Sequence, residues 1–152
     1  MCKLFKARDK ETQEWWAIKR FDKSWLVEIE AYHWEIKILK ALDYPNIVKL
    51  IDFYCSNSSN QMYIVYEFLN GKTIFDWMAI NMNEISYGDI WRVFREIVKG
   101  VECLHWNNIC HRDLKLENIM FMSDLQEFEL WIKLIDFGFS KFFIDPDSGV
   151  RQ

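Results

Sequence analysis

The chain has 152 residues, of which 51% are hydrophobic and 28% charged, and its formal net charge is −4. This balance indicates a folded domain or part of one, not a disordered segment. The weak negative charge gives no broad attraction to nucleic acid or to anionic lipid, and no apolar run approaches the ~18 residues that span a bilayer. We therefore expect neither a nucleic-acid nor a membrane partner. Four cysteines without zinc-ligand spacing favour a reducing compartment, cytoplasmic or nuclear.

The first part of the chain has the residue pattern of a small sheet with one helix. Aromatic and β-branched runs between polar turns predict strands at 4–7, 15–21, 47–53 and 62–68. Between the second and third of these strands, apolar residues at spacings of three and four predict a helix over 25–42. They are Ile29, Tyr32, Ile36 and Leu39.

The second part reads as mainly helical. A short helix is predicted over 73–82, and Ser86 with Asp89 resembles the capping box that opens a helix. The longer helix that follows carries apolar residues at spacings of three and four, namely Ile90, Phe94, Ile97, Val101 and Leu104. A strand pair is then expected at 119–122 and 131–135 around a polar loop, and 145–149 reads as a tail.

The run from His111 to Asn118 concentrates chemically active side chains. Asp113 is a carboxylate that can accept a proton, and Lys115 two residues later is a cation that can offset developing negative charge. Asn118 and, further along the chain, Asp136 supply oxygen atoms of the kind that Mg²⁺ prefers. Together these groups are suited to handling a phosphate and its magnesium ion.

In their order and spacing, six motifs resemble those of the eukaryotic protein kinase family. They are Trp16–Lys19, Glu35–Leu39, Tyr44–Leu50, Ile64–Gly71, His111–Asn118 and Asp136–Gly138. The resemblance implies an α+β, bilobal fold that is incomplete, with a small antiparallel-sheet lobe lacking its first strand and the first part of a helical large lobe. The expected divisions are 1–66 for the small lobe, 67–71 for the hinge and 72–152 for the partial large lobe.

The resemblance also implies roles for the polar side chains. Asp113 would accept the proton of the substrate hydroxyl, and Lys115 would lie against the transferred phosphoryl group. Lys19 would contact the α- and β-phosphates of ATP, with Glu35 holding it in place through an ion pair. The ligands of Mg²⁺ would be Asn118 and Asp136.

The adenine site is expected from the same resemblance. The ring would lie between Leu4 and Ala17 on one side and Met120 on the other. Its edge would bond to the backbone at Glu67 and Leu69. A further residue, Tyr66, would limit the back of the pocket and keep it shallow.

The sequence also departs from the family pattern. No glycine precedes Gly71, so the Gly-rich loop over the phosphates is absent, and Cys2 stands where its last glycine would be. The chain also stops soon after Gly138, inside the expected activation segment. We expect a domain truncated at both ends, whose longest helix leaves apolar surface exposed.

Three interpretations of the function follow. The favoured one is a fragment of a protein serine/threonine kinase, since Lys115 after Asp113 is typical of that branch, and the run 139–143 is similar to calcium/calmodulin-dependent kinases. The second is a nucleotide-binding, catalytically weak, pseudokinase-like module that regulates a protein partner through exposed apolar surface, and the third is a non-functional remnant. In the favoured case the whole enzyme would act on a protein substrate, and the chain alone would have little or no activity.

Overall fold

A four-stranded antiparallel sheet with one helix against it makes up the first part of the chain. The computed structural model describes residues 3–123, 131–144 and 149. The sheet order is β1-β2-β4-β3. Its elements are β1 Lys3–Arg8, β2 Trp15–Asp22, α1 Leu26–Lys40, β3 Leu50–Cys55 and β4 Gln61–Glu67.

Side-chain alternation on the two central strands decides what faces the helix. In the antiparallel register of β2 and β4, Ala17 lies opposite Tyr66 and Lys19 lies opposite Ile64. Cross-strand partners project from the same face of a sheet, so these four side chains share one face. Ile38 of α1 and Ile64 are both fully buried in the core.

Helices dominate the second part. Its elements are α2 Ile74–Asn81, α3 Tyr87–Trp106, β5 Ile109–Cys110, a 3₁₀ turn Leu116–Asn118, β6 Ile119–Phe121, β7 Ile132–Leu134 and β8 Lys141–Phe142. The short strands form two antiparallel pairs, β5 with β8 and β6 with β7. This α+β arrangement agrees with the incomplete bilobal fold expected from the sequence.

The start of α3 matches the sequence prediction in detail. The Ser86 hydroxyl accepts a hydrogen bond from the Asp89 backbone amide, and the Asp89 carboxylate accepts one from the Ser86 amide. The capping box is therefore confirmed. Further along, Gly100 packs so closely that a Cβ atom there would lie 3.0 Å from a Leu134 methyl group, which brings α3 directly onto β7.

Several element boundaries differ from the sequence expectation, most clearly those of β3 and α1. The predicted strand over 47–53 begins only at Leu50, because the Val48 amide bonds to the Leu134 carbonyl at 3.0 Å, which attaches residues 47–48 to β7 and not to the sheet. The predicted helix 25–42 ends at Lys40. The expectation that α3 leaves apolar surface exposed is confirmed, since Ile90 and Phe94 are about half exposed, while Val93, which was not singled out, is buried.

Two predicted segments fall largely outside the described residues. The structure describes only Ser123 of the loop 123–129 and only Gly149 of the tail 145–149. The divisions at 66 and 71 stay predictions. Within the described ranges, no helix is both long enough and apolar enough to cross a membrane.

Candidate active site

A cavity of about 390 Å³ opens between the sheet and the helical part. Its lining includes all seven residues that the sequence predicted to bind the nucleotide: Leu4, Ala17, Lys19, Tyr66, Glu67, Leu69 and Met120. The cavity is also lined by three residues predicted for other roles at the site, Glu35, Asn118 and Asp136. Three residues that were not predicted complete the lining: Val48, Phe68 and Ile135. The lining is mostly apolar, with the charged groups gathered around one cluster, which is typical of a small-molecule pocket.

The charged cluster is centred on the Lys19 ammonium group. Lys19 Nζ donates to Oε2 of Glu35 at 2.8 Å and to Oδ1 of Asp136 at 2.7 Å. The three residues come from β2, from α1 and from the segment after β7. Their meeting confirms the predicted contact between Lys19 and Glu35 and adds one to Asp136 that was not predicted.

Both ionic partners affect the protonation of this cluster. Although burial favours the neutral amine, the carboxylates of Glu35 and Asp136 raise the pKa of Lys19 well above its ordinary value. Burial also opposes ionisation of Asp136, but the neighbouring ammonium group of Lys19 outweighs it and lowers the pKa of Asp136. Lys19 is therefore a cation and Asp136 an anion at neutral pH.

Asp136 is held in an unusual backbone conformation. Its φ is 59°, in the left-handed region that non-glycine residues seldom adopt. The next residue, Phe137, is fully buried, with its ring 4.9 Å from that of His111. Gly138 follows, where a Cβ atom would lie 3.4 Å from both Lys19 Nζ and Asp136 Oδ1. The buried Phe137 ring thus anchors the segment, while Gly138 leaves space for the ion cluster.

The loop after α3 brings Asp113, Lys115 and Asn118 together. Lys115 Nζ donates to Oδ2 of Asp113 at 2.7 Å, and Asn118 Nδ2 donates to the same oxygen at 2.8 Å. The hydrogen bond from Lys115, together with that from Asn118, lowers the pKa of Asp113, and the bond to Asp113 raises the pKa of Lys115. Asp113 is therefore ionised at neutral pH, as a proton acceptor must be.

His111, at the start of this loop, is held by two hydrogen bonds. The Ser140 hydroxyl donates to the His111 carbonyl at 3.0 Å, and the His111 ring, through Nε2, donates to the Ile135 carbonyl at 3.0 Å. Arg112, between His111 and Asp113, has a φ of 67°, in the left-handed region. These contacts tie the Asp113 loop to the segment that carries Asp136.

The donor set fits a magnesium ion. Asn118 Nδ2 uses its hydrogens on the backbone carbonyl and the Oδ2 atom of Asp113, both at 2.8 Å, which leaves Oδ1 as the oxygen for a cation. The hydrogen bonds described for the Asp136 carboxylate go to Oδ1, and its side chain is 43% exposed. A neutral amide oxygen and a carboxylate are ligands suited to a hard divalent ion.

Sequence reasoning missed two further contacts at this site. Tyr66 was predicted only to limit the pocket, but its hydroxyl donates to Oε1 of Glu35 at 2.7 Å. Lys133 was not singled out, yet it is buried and pairs with Glu67 at 2.7 Å. A lysine between the apolar residues Ile132 and Leu134 was the available indication, because a charge in a buried strand requires a partner.

The architecture and the site define a class of protein. A small antiparallel sheet with one helix, a helical part beyond it, and a cavity between them with a lysine–glutamate–aspartate cluster are the elements of the bilobal kinase fold. The protein kinase domain family matches residues 1–150. The chain therefore belongs to the protein kinase family.

Named relatives agree with this assignment. The chain is 33% identical over 149 residues to a probable serine/threonine-protein kinase KIN1 homolog of Enterocytozoon bieneusi, covering 97% of this chain and 23% of that protein. It is 34% identical over 150 residues to calcium-dependent protein kinase 3 of Plasmodium yoelii yoelii, covering 97% and 27%. It is 33% identical over 141 residues to a CaM kinase-like vesicle-associated protein of Danio rerio, covering 92% and 31%. The chain thus spans between about a quarter and a third of these relatives.

Proposed function

We propose that this chain is the ATP-binding and catalytic-loop portion of a protein serine/threonine kinase, which transfers the γ-phosphoryl group of Mg-ATP to a hydroxyl group of a protein substrate. The three relatives named above are all described as kinases or kinase-like. Since the chain covers only a part of each, the proposed activity is that of the whole enzyme.

One observation carries the proposal. The Lys19 ammonium group lies within 2.8 Å of two carboxylates, Glu35 and Asp136, at the wall of the cavity that Ala17 and Met120 line. A lysine with two fixed anionic partners keeps one direction, and polyphosphate binding requires such a fixed cation. Apolar lining next to a charged cluster matches the two halves of a nucleotide, a flat base and a chain of phosphates.

The chain's own residues have distinct tasks in this mechanism. Lys19 would bind the α- and β-phosphates, and Asn118 with Asp136 would hold Mg²⁺, which when bound offsets the charge of the phosphates. The Asp113 carboxylate would orient the substrate hydroxyl and take its proton. Lys115, 2.7 Å from Asp113, would offset the negative charge that grows on the transferred group.

Nucleotide binding is the direct test. Titration with Mg-ATP should raise the thermal unfolding temperature of the chain in a concentration-dependent way. Lys19→Met and Asp136→Asn should abolish most of the rise, while Lys99→Met, a partly exposed position on α3 outside the cavity lining, should retain it. Absence of any shift at millimolar nucleotide in the unmodified chain would refute the proposal for this part of the enzyme.

Phosphotransfer separates the full enzyme from the chain alone. On generic serine and threonine peptides we expect little or no turnover by residues 1–152. Robust turnover that Asp113→Asn abolishes would instead show that the chain is sufficient by itself.

Exposed apolar side chains on α3 favour a second, compatible role. Phe94, Val98 and Trp106 are each about half exposed or more, which is unusual for a helix that also contributes to a core. We infer that this face contacts other protein. In the whole kinase this would be another part of the same enzyme, and in a catalytically weak module it would be a regulatory partner. A cytoplasmic or nuclear location suits an enzyme that uses ATP and contains exposed thiols at Cys55 and Cys110.

A further inference from the structure

The Glu35 carboxylate is bonded through both of its oxygens. Oε2 accepts from Lys19 Nζ at 2.8 Å, and Oε1 accepts from the Tyr66 hydroxyl at 2.7 Å. Glu35 is 0% exposed. A fully buried carboxylate needs protein donors for its oxygens, because it is cut off from the bulk solvent that would otherwise supply them. The Tyr66 hydroxyl is therefore half of the arrangement that makes Glu35 acceptable in this position.

The sheet register brings Tyr66 to Glu35. Tyr66 on β4 lies directly opposite Ala17 on β2, and Lys19 lies two residues after Ala17 on β2. All three therefore project from the face of the sheet on which α1 packs. Glu35 enters this face from α1, so it meets Lys19 and Tyr66 with its two oxygens at once.

A phenylalanine could fill the space of the Tyr66 ring but could not donate to Glu35. Oε1 would then lie buried without this partner, and leaving a buried acceptor unpaired is more costly than the hydrogen bond itself is favourable. The carboxylate would reorient to recover a donor, and Lys19 would keep only Asp136 in its present position. The hydroxyl group, as distinct from the ring, thus has an identifiable effect on Lys19.

We propose that Tyr66 is a positioning residue, whose hydroxyl group fixes the Glu35 carboxylate so that Glu35 in turn directs Lys19 toward the nucleotide phosphates. This inference rests on the proposed nucleotide-binding function for the role of Lys19. The arrangement of Tyr66, Glu35 and Lys19 itself does not depend on nucleotide, so it can be examined in the free chain.

The first experiment is carbon NMR on the free chain, with glutamate and lysine side chains labelled. Tyr66→Phe should shift the Glu35 carboxyl resonance, and also the Lys19 ε-carbon resonance, because the ammonium group loses one fixed partner. Tyr63→Phe is the matched control, since Tyr63 is on the same strand and donates to Gln61. It should leave both resonances in place. Unchanged Glu35 and Lys19 resonances in a folded Tyr66→Phe chain would overturn the proposal.

The second experiment measures the Kd for Mg-ATP. Tyr66→Phe should raise it by about fivefold, the factor expected for one hydrogen bond, and should change it by less than twofold in a Glu35→Ala background. An equal increase in both backgrounds would show that Tyr66 acts through some other group, which contradicts the proposal. If the unmodified chain binds no nucleotide, the proposed function fails, whereas the NMR comparison still decides whether Tyr66 positions Glu35 and Lys19.

Discussion

An ion pair between buried Lys133 and the partly exposed Glu67 joins the two parts of the molecule. Lys133 Nζ on β7 lies 2.7 Å from Oε1 of Glu67 at the end of β4. Lys133 also donates to the Ile47 carbonyl at 3.0 Å, and the same Glu67 oxygen accepts from the Lys49 amide at 2.6 Å. A strand of the helical part, the end of the sheet and the segment before β3 are thereby held by one polar network.

Breaking this pair from one side should be costly. Glu67→Gln should lower the free energy of unfolding by about 3 kcal/mol, because it leaves the buried Lys133 ammonium group without its counter-ion. Lys133→Met should lower it by less, because the Glu67 side chain that it leaves unpaired is 21% exposed. The double variant should lose less than the sum of the two, since it removes both charges. Urea unfolding of the four chains measures this directly.

The control for this pair is Arg92→Met on α3. Arg92 pairs with Asp89 at 2.9 Å, but the two side chains are 51% and 29% exposed, so its removal should cost at most about 1 kcal/mol. A loss in Glu67→Gln no larger than that in Arg92→Met would mean that the Lys133–Glu67 pair does not hold the two parts together.

Local patterns predicted the elements of the fold better than their edges. The capping box at Ser86 and the apolar stripe of α1 are determined by neighbours in sequence, so both could be read from the chain. The start of β3 could not, because it depends on the long-range bond between the Val48 amide and the Leu134 carbonyl. Similarly, the exposure of Phe94 depends on what packs against α3 and not on its spacing.

At the site, sequence motifs predicted the residue types but not all of their contacts. The resemblance implied the Lys19–Glu35 ion pair and a separate, metal-binding role for Asp136, and the structure brings all three into one cluster. The Tyr66–Glu35 hydrogen bond could not be predicted from spacing, since it requires the register of β2 on β4 and the docking of α1. Contacts between three elements are specified only by tertiary packing.

Gly71 is predicted to be intolerant of any side chain. A Cβ atom there would lie 2.5 Å from the Phe121 carbonyl oxygen and 2.7 Å from Phe121 Cβ. Because backbone cannot move aside as a flexible side chain can, Gly71→Ala should lower the free energy of unfolding by about 2 kcal/mol or more. Thermal or urea unfolding provides the measurement.

Gly88 is the matched comparison for Gly71. It lies in the first turn of α3, and the nearest atom to an added Cβ is Ser86 Oγ at 3.5 Å, an ordinary contact. Gly88→Ala should therefore leave stability unchanged or raise it by up to about 1 kcal/mol through helix propensity. Equal losses at both positions would contradict the close packing of Gly71 on β6.

The cap of α3 provides a test of local energetics. Ser86→Ala should lower the free energy of unfolding by about 1 kcal/mol, because the Asp89 amide loses its hydroxyl acceptor at 3.2 Å. Ser86→Thr keeps an acceptor and should recover most of this loss. Chemical unfolding distinguishes the outcomes, and an alanine variant as stable as the threonine one would mean that the cap contributes nothing.

His111 predicts how stability depends on pH near neutrality. Burial lowers the pKa of His111 below its ordinary value, so between the folded value and the unfolded value of about 6.5 the unfolded chain binds more protons. The free energy of unfolding should therefore fall as the pH drops from about 6.5, a window above that of the carboxylates. In His111→Gln, which keeps a donor toward Ile135, this part of the pH dependence should disappear. Exposed His105 is the control, and His105→Gln should retain it. Urea unfolding between pH 5 and 8 measures the free energy of unfolding of all three chains. If it depends on pH identically in the wild-type and His111→Gln chains, His111 is not the group responsible.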